Sequence, residues 1–173
     1  ARRVVLTAAV TKHEGATMDP DHHRQILRFS GRINVQVQAV LVAYLLASVI
    51  FTQSILATVQ SFGLDVTFAE RLAATWHDIM GMASSYLLLM LVAFILGLPV
   101  AAGLTRLLPG QRALLFTLAG FVAVVALHLI MKAVLGVSGI AVTRTVAGLI
   151  GQGVAGAIGG YCYHLLSRHV SAS

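Results

Sequence analysis

Four stretches of this chain, residues 33–64, 79–105, 113–131 and 145–167, contain no Asp, Glu, Lys or Arg, and they run for 32, 27, 19 and 23 residues. A helix rises ~1.5 Å per residue and the hydrocarbon core of a bilayer is ~30 Å thick, so about 20 predominantly apolar residues cross it. All four stretches meet that length, the third narrowly. A closed β-barrel also satisfies its backbone in lipid, but it needs apolar and polar residues in alternation. Residues 86–92 and 121–127 do not alternate. The expected fold class is therefore an all-α integral membrane protein, a four-transmembrane-helix bundle with spans at about 36–57, 82–104, 113–133 and 145–166. Composition agrees: 58% of the 173 residues are apolar and 10% charged, against roughly 45–50% and about 25% in a soluble domain.

Positive charge collects on the cytoplasmic side of short membrane loops. With the N-terminus inside, Arg2, Arg3, Lys12, Arg24, Arg28, Arg32, Arg106, Arg112 and Arg168 are cytoplasmic, against Arg71, Lys132 and Arg144 outside. Nine against three places both termini in the cytoplasm, and a bacterial inner membrane is the expected location. Residues 1–33 then form a cytoplasmic segment, 34–167 the membrane domain and 168–173 a cytoplasmic tail. The run from Val4 to Val10 lacks the features of a signal peptide. Met18 is a candidate start, which makes residues 1–17 a candidate extension.

Two short amphipathic helices are expected beside the spans. Asp19-Pro20-Asp21 has the chemistry of a helix start and Ser30-Gly31 that of a stop. The piece between carries Ile26, Leu27 and Phe29 among arginines, suiting an anionic leaflet. Lipid thus accounts for the formal charge of +6, and no nucleic acid is expected as a partner. Between the first two spans, Thr67-Phe68-Ala69-Glu70 fits a capping box. Beyond it Phe68, Leu72, Trp76 and Ile79 share one face of an interfacial helix. Pro109-Gly110 marks a tight turn, so the second and third spans should be antiparallel neighbours. Trp76, Arg106, Arg112 and Arg168 are the expected interface anchors.

The most specific pattern lies in the last span. Ala147, Gly151, Ala155 and Gly159 recur every four residues, with Gly148, Gly156 and Gly160 on an adjacent stripe. Small residues at this spacing let helix backbones approach in lipid, so a neighbouring helix is expected there, from the same bundle or from another subunit. Gln152, in the middle of that stretch, needs a hydrogen-bond partner. With His128 and Lys132, spaced by four on the third span, it outlines a possible polar path. His128 is expected near the outer interface, and Lys132 can snorkel to water from there. Cys162 is expected to be a packing residue. Gly97, Pro99 and Gly103 should loosen or kink the second span.

His77, Met80 and Met82 offer soft ligands suited to copper, but their spacing closes no site. His128 and His164 fall at opposite ends of antiparallel spans, which argues against one haem iron between them. No cofactor is expected. No nucleophile elbow, phosphate-binding glycine loop, metalloprotease helix or paired intramembrane carboxylate is present. The leading expectation is a non-enzymatic membrane subunit packing through its fourth helix, with itself or inside a larger membrane complex. A small channel or transporter component, and a cofactor-binding or enzymatic subunit, are the alternatives.

Overall fold

The computed structural model describes residues 20–136, 143 and 145–172, and every regular element among them is helical. The helices are α1 (Pro20–Ser61), α2 (Phe68–Met82), α3 (Tyr86–Leu104), α4 (Arg112–Leu135) and α5 (Val146–Ala172), with a 3-10 turn at Pro109–Gln111. The expectations for residues 1–19, including the Asp19 cap, and for Ser138, Gly139 and Arg144 in the α4–α5 connection lie outside the described residues. Among those described, three helical segments are long and apolar enough to cross a membrane: Phe29–Ser61, Tyr86–Leu104 and Pro109–Val134. At 27 residues α5 has the length as well. Its glycines and Gln152 dilute its apolar character.

Helix α1 corrects one expectation: Ser30-Gly31 does not stop it, and the segment from Pro20 is continuous with the first span. Glycine ends a helix by adopting the left-handed conformation. Among the described residues only Gly63 and Gly136 have positive φ, at 81° and 67°. With right-handed backbone at Gly31, the ~1 kcal/mol propensity cost of one glycine is too small to halt a helix already propagating. Gly136, by contrast, is the left-handed C-cap of α4.

The second span begins later than expected, because residues 83–85 form a turn that separates α2 from α3. Helix α2 starts at the expected capping box. Thr67 Oγ1 accepts the Glu70 N–H at 3.3 Å, while the Glu70 carboxylate accepts from Thr67 N–H and Oγ1 at 2.8 Å each. Pro99 sits inside α3 without ending it.

The four long helices close a ring: α1 packs on α3 and α5, and α4 packs on the same two. Their order is antiparallel throughout. Gly159 lies against Ala39 and Ala43 while Gly151 lies against Ile50; Gly160 meets Phe116 while Gly153 meets Phe121; Gly97 meets Ala123. Met90, Phe94, Leu98, Phe116, Val40 and Val124 fill the centre, each at most 2% exposed. Helix α2 lies against α1 at the end away from the Pro109 turn.

Small residues set how closely α5 approaches its neighbours. A Cβ at Gly120 would strike the Gly156 carbonyl oxygen, and one at Gly160 the Phe116 carbonyl oxygen. Such backbone contact is a principal source of helix association in lipid, where burying apolar surface brings no advantage over lipid contact. On the other side, a Cβ at Gly159 would come 2.7 Å from Ala43 Cβ and 2.8 Å from the Ala39 carbonyl oxygen. Both neighbours of α5 therefore come from the same chain.

Candidate functional site

The polar side chains within the bundle gather at its two ends. At the end carrying α2, Gln152 is fully buried. Its Nε2 donates to the Ala47 carbonyl at 3.1 Å, and its Oε1 accepts from the Tyr86 hydroxyl at 3.0 Å. The same hydroxyl lies 3.4 Å from His128 Nε2. His128 Nδ1 is 2.8 Å from the Val124 carbonyl oxygen, which can only accept, so Nδ1 carries a proton and the neutral ring leaves its lone pair at Nε2. One hydroxyl proton thus faces two acceptors, with the shorter contact to Gln152.

Around this centre Tyr44 donates from its hydroxyl to the Ile79 carbonyl and lies 6.1 Å, ring to ring, from Tyr86. Thr52 Oγ1 is 2.8 Å from Asp78 Oδ2 and 3.0 Å from the Ser48 carbonyl. Its single proton serves one acceptor at a time, and an ionised carboxylate is the stronger. Arg71 donates to Gln53 Oε1 at 2.7 Å and to Gln60 Oε1 at 2.5 Å, tying α2 to α1. At the exposed start of α2, hydrogen bonds from Thr67, its backbone N–H foremost, hold the Glu70 carboxyl below the ordinary glutamate range.

His128, only 4% exposed, faces into the bundle at the end that carries α2. Lys132, one turn on, is exposed and makes no hydrogen bond or ion pair. Gln152 and His128 come together, joined by Tyr86, while Lys132 lines a small pocket with His128 and joins none of these hydrogen bonds. Sequence reading missed Tyr86 because its partners are 42 and 66 residues away. Trp76 is exposed on α2. His77 is exposed, with Nδ1 3.7 Å from Asp78 Oδ1, an ion pair when the ring is protonated. Met80 is exposed and Met82 half-buried. Among the described residues no group of three or more His, Cys, Asp and Glu converges on a metal site.

Of the α5 stripe, Gly148, Ala155, Gly156, Gly159 and Gly160 are buried and Gly151 half-buried. Ala147 is exposed. Gly153, on neither expected stripe, lies beneath the Phe121 ring. The stripe seats two helices.

The opposite end is basic. Arg32, Arg106 and Arg112 line one cleft with Thr105 and Ser167. Arg112 donates to Ser167 Oγ at 3.1 Å and lies over the Phe116 ring at 5.6 Å. Arg168 is exposed beside Ser167. Between the two ends, the inward face of α3 offers only Met90, Phe94, Leu98 and Ala101, all buried. From Met90 to Ala101 that apolar layer spans about 16 Å at ~1.5 Å per residue.

An all-helical membrane protein is the class that this fold and its apolar helices define. Compared with known proteins, the chain matches no protein family, no curated protein and no solved structure.

Proposed function

We propose that the chain is a four-span, non-enzymatic membrane subunit, with α5 as the fourth span and α2 lying in the interface, and that it works as an oligomer of identical chains. Two observations support α5 as a span: it is 27 residues long, and it lies antiparallel between α1 and α4, both of which are long and apolar enough to cross. The exposed Phe68, Leu72 and Trp76 of α2 suit the headgroup layer. Arg32, Arg106, Arg112 and Arg168 at the end away from α2 favour a cytoplasmic side there, in a bacterial inner membrane.

The glycine face of α5 is already occupied by α1 and α4, so association has to use another surface. Gln38 is the observation that carries the oligomer reading. It is exposed on α1, makes no hydrogen bond, and opens onto a groove with Leu41, Leu165 and Cys162 between α1 and α5. Six residues beyond Arg32, it lies about 9 Å further into the span. An amide facing hydrocarbon is costly there. A glutamine amide both donates and accepts, so it can pair with its own copy across a two-fold axis.

Purification in mild detergent with mass measurement tests this reading. The expected result is a homodimer or higher homo-oligomer that Gln38→Leu converts to monomer. A monomeric native chain, an unchanged mass in Gln38→Leu, or a stoichiometric complex with other membrane proteins would each overturn it.

A further inference from the structure

The cleft at the basic end has a volume of about 270 Å³ and is lined by Arg32 from α1, Thr105 and Arg106 from the α3–α4 turn, Arg112 from α4 and Ser167 from α5. Among the described residues no carboxylate lines it. Arg32 and Arg106 make no side-chain hydrogen bond or ion pair among the described residues. Three guanidinium groups that share a half-enclosed space repel one another unless an anion lies between them.

Unused donors accumulate at the same place. Arg112 commits one terminal nitrogen to Ser167, yet its Nε is buried without a partner. Buried donors are normally satisfied, so an orphan beside two unpaired cations points to a missing acceptor. The N-terminus of α4 also starts at Arg112, and the Gln111 side chain does not cap it. Its positive dipole end therefore adds to the field of the arginines. Planar guanidinium forks match phosphate oxygens in geometry.

We propose that this cleft holds a phosphate group, carried by an anionic phospholipid headgroup or by free phosphate. The site lies within one chain and is independent of the oligomeric reading. In a lipid bilayer, the end of α3 and the start of α4, level with Arg32 on α1 and Ser167 in the last turns of α5, place it where headgroup phosphates lie.

The test is thermal melting of the delipidated full chain in neutral detergent. One arm adds inorganic phosphate against chloride at equal ionic strength; the other adds short-chain phosphatidylglycerol against short-chain phosphatidylcholine. A melting rise in the phosphate arm alone assigns free phosphate, and a rise in the phosphatidylglycerol arm alone assigns the headgroup. A rise in both shows that the phosphate group itself suffices. Arg106→Gln and Arg112→Gln are each expected to weaken the apparent affinity roughly tenfold to a hundredfold. Lys132→Gln, which removes an equal charge at the far end, should leave it unchanged. Arg106 is exposed and unbonded, so its variant stays informative even if Arg112→Gln misfolds. No rise in either arm, or variants that respond like the native chain, would overturn the proposal.

Discussion

The two ends of the bundle solve the same problem in opposite ways. At the α2 end polar groups answer one another: Gln152 with Tyr86 and Ala47, Thr52 with Asp78, and Arg71 with Gln53 and Gln60. At the opposite end, Arg32 and Arg106 are unbonded, and Gln36 Nε2, Arg112 Nε and His164 Nδ1 are buried without partners. Low dielectric magnifies both situations, rewarding a satisfied network and penalising an incomplete one. The first end thus satisfies its polar groups within the chain, the buried Ser48 hydroxyl excepted, whereas the second leaves donors on Arg32, Arg106, Arg112 and Gln36 unanswered among the described residues.

The largest effect is expected where the two ends are joined. A Cβ at Gly156 would strike the Gly120 carbonyl oxygen and come 2.6 Å from Val124 Cγ2. Gly156→Val should therefore abolish the folded species, read as loss of a monodisperse peak in detergent. A variant that melts like the native chain would show that α4 and α5 do not meet here. Next, Gln152→Leu should cost about 1 kcal/mol, the range of interhelical hydrogen bonds in membranes. Arg106→Gln, at the incomplete end, should stay within about 0.5 kcal/mol when phosphate is absent. Equal losses in the two variants would erase the contrast.

The smallest effect concerns the α2 cap. Glu70 has its pKa lowered by Thr67, so its contribution is present above the ordinary glutamate value and is lost as pH falls through the lowered one. Tertiary melting should stay nearly constant across that range, while amide exchange in the first turn of α2, corrected for intrinsic rates, should quicken at the acidic end. Thr67→Ala should show the quickened exchange at every pH.

Much of this architecture was readable before any coordinates, because charge-free length and local caps act within a few residues. The Thr67–Glu70 box and the Pro109 turn are of this kind. Helix α1 was misjudged at Ser30-Gly31 because a glycine ends a helix only through a backbone choice that sequence does not display. The partners of Gln152 were hidden for a different reason. Nothing local marks Tyr86 or Ala47, which meet it only after three helices have packed. Nor does sequence separate Gln36 from Gln38, two residues apart on α1: the first has a buried amide nitrogen and the second is exposed. The glycine stripe was legible as a packing face, but not that both of its neighbours belong to the same chain.

Whether α5 crosses the membrane decides on which side its C-terminal end emerges. With Cys162→Ser as background, single cysteines introduced as Asp65→Cys, Gly110→Cys and Arg168→Cys can be probed with a membrane-impermeant thiol reagent from each side of the membrane. Positions 110 and 168 should label from one face and position 65 from the other. Labelling of position 168 from the same face as position 65 would mean that only three helices cross, contradicting the four-span bundle.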